Sequence, residues 1–111
     1  NERFDWVFAK DVLEHIPEEE LHILLENLRK CSQNLFVAVP LAACDNDNKY
    51  VIPEYENDVT HVIRKSLSWW ADLFVEHGWI VTEQNYTFKG CKENWTDKWE
   101  HGNGFFVLSA S

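Results

Sequence analysis

Asp11, Glu14 and His15 fall within five residues of one another, and a further histidine, His61, stands at the end of a long acidic stretch. Carboxylate and imidazole groups are oxygen and nitrogen donors of the kind that hold magnesium or manganese. Imidazole is also the side chain that takes or gives a proton near neutral pH. Placed between an acidic loop and a helix cap, His61 is free to orient an acceptor or take its proton; capping the loop is an equally good use of it. Glu14 and His15 have plain structural roles too, Glu14 near a helix N-terminus and His15 packed against the core. No metal is assigned from these residues alone.

The elements that must position these side chains follow from the apolar pattern. Phe4-Asp5-Trp6-Val7-Phe8-Ala9 is a short apolar, aromatic run, the signature of a strand buried on both faces. Lys10 to Ile16 is a polar connection. Pro17 suits a first helical position, and Glu18, Glu19 and Glu20 suit the positive end of the helix dipole. Leu21, Leu24, Leu25 and Leu28 then form one apolar stripe. Leu35–Val39 is a second apolar run closed by Pro40, so strand, helix and strand make a parallel unit with a right-handed crossover.

From Leu41 to about Thr60 the chain is polar and acidic, and with few apolar anchors it is expected to be the most mobile part. Ser66 caps a second helix with a stripe of Leu67, Trp70, Ala71 and Phe74, which Gly78 ends and Trp79 buttresses. Trp79–Phe88 and Gly104–Ser109 are strands by composition. The charged connection between them, Lys89 to Asn103, has no helical pattern, so the two strands form an antiparallel hairpin. The order β-α-β-α-β-β defines an α/β fold with one antiparallel strand closing it.

Composition sets the outer bounds. With 111 residues there is room for one domain, and 45% apolar content with six Trp and seven Phe fills one core and argues against disorder. A net charge of −9 disfavours a broad nucleic-acid surface. No apolar run approaches a membrane span. The three cysteines, Cys31, Cys44 and Cys91, have neither the density of a disulfide framework nor zinc-pair spacing, which is consistent with reduced thiols and a cytoplasmic location.

Two segments resemble class I S-adenosylmethionine-dependent methyltransferases. Phe4-Asp5-Trp6-Val7 leading into Leu13-Glu14-His15 is similar to the family's fourth-strand region, and Asp58-Val59-Thr60-His61 to its approach to the next helix. The terminal hairpin is similar to the family's antiparallel seventh strand, which inserts between the fifth and sixth. The resemblance implies a partial Rossmann-like fold and transfer of a methyl group to a small-molecule acceptor. The chain's four glycines, at 78, 90, 102 and 104, form no glycine-rich turn after an opening strand. The expectation is therefore the C-terminal half of such a fold, inactive by itself, with a non-catalytic interaction module as the alternative.

Residue by residue, the resemblance puts Ala9, Lys10 and Asp11, at the carboxyl end of the first strand, beside the methionine end of the cofactor, with His15 nearby. It makes His61 the residue facing the transfer site. Asp11-x-x-Glu14-His15 is also similar to the Glu-x-x-Glu-His metal motif of some O-methyltransferases, with His61 as the completing histidine; Asp in place of Glu shortens the first arm. Trp95 and Trp99 are candidates for a substrate or subunit contact. Without the cofactor half, Phe4–Ala9 becomes an unpaired edge, so a homo-oligomer with Trp6 and Phe8 in its interface is expected.

Overall fold

The computed structural model describes residues 4–42, 49–58 and 60–110. Four strands, β1 (Phe4–Lys10), β2 (Ser32–Pro40), β3 (Trp79–Asn85) and β4 (Asn103–Ala110), form one sheet in the order β1-β2-β4-β3. β1 and β2 run parallel, and β4 is antiparallel to both β2 and β3. The last strand of the chain thus inserts between its two predecessors, as the hairpin and the resemblance together required. Helix α1 (Glu18–Cys31) makes the crossover from β1 to β2, and α2 (Leu67–Glu76) leads into β3.

Strand alternation sorts the side chains of β2 to two faces. Leu35, Val37 and Val39 join Leu21, Leu25, Trp70, Phe74, Trp79, Phe106 and Leu108 in the main core under the helices. Phe36 and Ala38 point the other way and meet Phe105, with Cys91 and Val107 alongside. Ser66 caps α2 by accepting from the Trp69 N–H at 3.3 Å. Gly78 ends that helix with φ of 85°, a conformation glycine adopts without penalty.

The structure departs from the sequence expectations at four places. β1 is not buried on both faces: only its helix-side residues pack, while Phe4, Trp6 and Phe8 are exposed, Phe8 by 71%. The reason is its edge position, with one neighbour and helices on one side only. The acidic stretch is better anchored than expected, because Tyr50 and Ile52 are fully buried and the Tyr50 hydroxyl donates to the Ile63 carbonyl at 2.7 Å. Pro53–Asn57 adds a 3-10 turn, and residues 43–48 of this stretch, Cys44 included, lie outside the described residues. The first strand of the hairpin stops at Asn85 rather than Phe88. The hairpin connection also contains a short helix, α3 (Glu93–Lys98).

Candidate functional site

An open cavity of about 790 Å³ lies beyond the carboxyl ends of β1 and β2, lined among others by Lys10, Asp11, Glu14, His15, Tyr55, His61 and Lys92. The carboxyl ends of parallel strands are where open α/β sheets bind ligands. The backbone brings the walls together. Leu13–His15 forms a 3-10 turn, and the Glu14 carbonyl accepts from the N–H groups of Val62 and Ile63 at 2.8 and 3.2 Å. That zipper holds the segment carrying His61 against the turn carrying Glu14 and His15.

Both imidazoles are anchored through Nδ1. His61 Nδ1 lies 2.9 Å from the Tyr55 carbonyl oxygen, which can only accept, so Nδ1 carries a proton and Nε2 is left to face the cavity. Thr60 Oγ1 donates to Asp58 Oδ1 at 2.5 Å, so it accepts from His15 Nδ1 at 2.8 Å. His15 Nδ1 therefore carries a proton too. The two Nε2 atoms face Glu14 Oε2 at 3.5 Å for His15 and 3.8 Å for His61.

Glu14 is 1% exposed, and among the described residues neither carboxylate oxygen has a hydrogen-bond partner. Burial pushes its carboxyl above the ordinary range, opposed in part by its own nearby backbone N–H, which does not reach it as a full hydrogen bond. Asp58, by contrast, is held below the usual range by the Thr60 hydroxyl and then the Thr60 N–H, and its Oδ2 lies 3.4 Å from His61 Nε2. The Nε2 atoms of both rings and the Glu14 carboxylate converge on one point, which a shared proton or a metal ion can occupy. Donor atoms of Glu14, His15 and His61 all lie within 4.8 Å of one another, a separation one ion can bridge.

The opposite wall is built by Lys92, whose ammonium pairs with Asp11 and donates to the Tyr55 hydroxyl at 3.1 Å and to Asn103 Oδ1 at 3.0 Å. Burial works against its charge, and the Asp11 carboxylate more than compensates, leaving its pKa raised. Asp11 and Lys92 both have positive φ, at 57° and 55°, backbone strain stored where two segments meet over the cavity.

Of the residues singled out from the sequence, Lys10, Asp11, His15 and His61 line this cavity together. The Ala9 side chain belongs to the main core, so only its backbone is left for a ligand. Asp11 is engaged by Lys92 rather than by the histidines. The Trp95 side chain lies outside the described residues, and Trp99 is half-buried beside Gly102. Lys92 and Tyr55 were not foreseen: both sit in charged connections where no periodicity marks them.

No protein-family model matches the chain, and no curated protein matches it. Its fold is matched by solved structures. A chain of the complex of the Haloferax volcanii Trm112 methyltransferase activator superposes with a TM-score of 0.72 at 16% identity, over 99% of this chain and 55% of that one. The mitomycin 7-O-methyltransferase MmcR gives 0.68 at 13% identity, over 99% of this chain and 30% of that one. LepI in complex with S-adenosylmethionine gives 0.68 at 12% identity, over 99% and 27%.

The fold is thus a methyltransferase-like α/β fold. This chain spans between about a quarter and just over half the length of those neighbours.

Proposed function

We propose that this chain forms the C-terminal, acceptor-side half of an S-adenosylmethionine-dependent methyltransferase. The observation that carries the reading is the convergence of His15, His61 and Glu14 at the carboxyl ends of β1 and β2 in a methyltransferase-like sheet. The cofactor supplies an electrophilic methyl group on a sulfonium. His61 Nε2, on a ring held through Nδ1 by the Tyr55 carbonyl, would take the proton of a small acceptor as that acceptor received the methyl group. Positioning accounts for the remainder, since methyl transfer requires chiefly alignment of nucleophile, methyl and sulfur.

In this reading Lys10, Asp11 and the Ala9 backbone meet the methionine end of the cofactor, and the glycine-rich turn that holds its remainder is not among the strands here. S-adenosylmethionine therefore binds the isolated chain more weakly than about 10 μM, roughly −7 kcal/mol. A calorimetric titration that returned tighter binding would show the site to be complete and the reading to be wrong.

A second reading of the same residues is favoured by the unpartnered Glu14 carboxylate. Here a divalent cation sits among Glu14, His15 and His61 and orients the acceptor oxygen in place of the proton-taking histidine. Titration with manganese separates the two: the cation reading requires binding that His61→Ala abolishes, and the base reading requires none.

The open β1 edge, with Trp6 and Phe8 exposed beside Phe36, also supports self-association of the isolated chain. A two-fold dimer pairing β1 with β1 would cover that edge. The chain is otherwise free of membrane-spanning features of one kind: among the described residues no helix is long and apolar enough to cross a bilayer.

A further inference from the structure

A second cluster of ligating side chains lies on the helix layer, and none of its residues lines the cavity. His22 projects from α1, and His77 follows the last residue of α2, Glu76. His22 Nδ1 and His77 Nε2 are hydrogen-bonded to each other at 2.5 Å, and one ligating atom each of His22, His77 and Glu76 lies within 4.8 Å of the others.

The groups around this cluster prepare it for a metal rather than for solvent. His77 Nδ1 lies 2.9 Å from Glu26 Oε2, which can only accept when ionised, so Nδ1 carries a proton and Nε2 is the atom hydrogen-bonded to His22. A carboxylate behind a ligating histidine is the arrangement that orients imidazoles at zinc sites. His22 has a carboxylate behind its other nitrogen too, Glu18 Oε2 at 4.0 Å. The His77 side chain is 9% exposed, so its ring is held in place by its surroundings. Glu18, Glu26 and Glu76 together offset the charge of a dication.

The geometry points to a zinc(II) site formed by His22 Nδ1, His77 Nε2 and the Glu76 carboxylate, with water as the fourth ligand; the ion takes the place of the proton the two rings share, which is released to solvent, and the rings part to the wider spacing of tetrahedral ligands. Two nitrogens and one carboxylate oxygen plus an open position is a common tetrahedral zinc set. The chemical preference differs from that of the cavity, where a hard cation with oxygen ligands fits better. Because the ligands come from α1 and the end of α2, the ion adds a clamp to the contacts that already join them, among them His77 with Glu26 at 2.9 Å and Arg29 with the Gly78 carbonyl at 3.1 Å. Binding only to the folded state, zinc raises the unfolding temperature.

The test is calorimetric titration of the chelator-stripped protein with zinc chloride, with thermal unfolding in parallel. It is run on the parent chain, on His61→Ala to remove the cavity cluster, and on His22→Ala and Glu76→Gln. Glu76 is exposed, so its substitution leaves the fold intact. One equivalent of zinc should bind His61→Ala and raise its unfolding temperature, while His22→Ala and Glu76→Gln lose at least tenfold in affinity at this site. Cobalt(II) added to His61→Ala should show the strong visible absorption of a tetrahedral centre. Zinc binding that vanishes in His61→Ala, or that is unchanged in both His22→Ala and Glu76→Gln, would overturn the assignment.

Discussion

His61 Nε2 stands 3.8 Å from Glu14 Oε2, a ring nitrogen facing a buried carboxylate with no hydrogen bond between them. Such a pair is costly to keep in a folded protein unless a cation comes between its members. The site is therefore shaped by what it takes up, and several measurable consequences follow from that and from the walls around it.

Stability should fall as pH rises through the raised titration of Glu14. Burial lifts the folded-state carboxyl above its unfolded value, so between the two values the folded chain holds a proton that the unfolded chain has lost. Stability from this group is present at the acidic side of that window and disappears on the alkaline side. Denaturant unfolding in chelator, compared between the parent chain and Glu14→Gln, isolates the effect. The variant should gain on the parent as pH increases, and parallel curves would show that Glu14 does not titrate differently on folding.

Lys92 is 7% exposed and ties Asp11, Tyr55 and Asn103 across the cavity. Lys92→Met removes the donor common to all three. Asp11 is 39% exposed and can rehydrate, so the cost should be about 1–2 kcal/mol, below that of breaking a fully buried pair. Urea unfolding measures it; a cost near zero would mean that the ammonium does not organise this wall.

Gly78 has φ of 85°, and a Cβ there would stand 2.6 Å from Arg29 Nε. The arginine end can move, so the left-handed backbone is what resists substitution. Gly78→Ala should destabilise the chain by about 1 kcal/mol, read from the shift in denaturant midpoint. A neutral or stabilising change would contradict the helix end described for α2.

The exposed Trp6 and Phe8 on the β1 edge predict self-association of the isolated chain. Light scattering at micromolar concentration should report a dimer or larger, and Trp6→Glu should return it to monomer. A monodisperse 13 kDa particle would refute the association, and an unaffected dimer would refute this edge as its cause.

The strands and helices were legible because each carries a periodic apolar pattern that its neighbours bury. Leu35, Val37 and Val39 show it for β2, and Gly78 and Ser66 mark both ends of α2. α3 was not legible, since six residues hold too few apolar positions to show a stripe. That His15 and His61 share a cavity followed only from the family resemblance. The contact itself depends on the Glu14 carbonyl accepting from Val62 and Ile63, a backbone pairing with no sequence signal. Nothing in the sequence pairs His22 with His77, because their meeting depends on how two helices come to rest on one sheet. Lys92 could not be paired with Asp11 in advance for the same reason: 81 residues separate them.

The proposed function stands or falls on the bend after β1 being half of an S-adenosylmethionine site. Amide chemical-shift mapping of the isolated chain with millimolar S-adenosylmethionine tests it most directly. The predicted result is weak, saturable binding with the largest shifts at Lys10, Asp11 and the Leu13–His15 turn, leaving β3 and the His22–His77 cluster unmoved. No shift at that bend at millimolar cofactor, or shifts centred instead on the apolar groove of Trp6, Phe8 and Phe88, would contradict it.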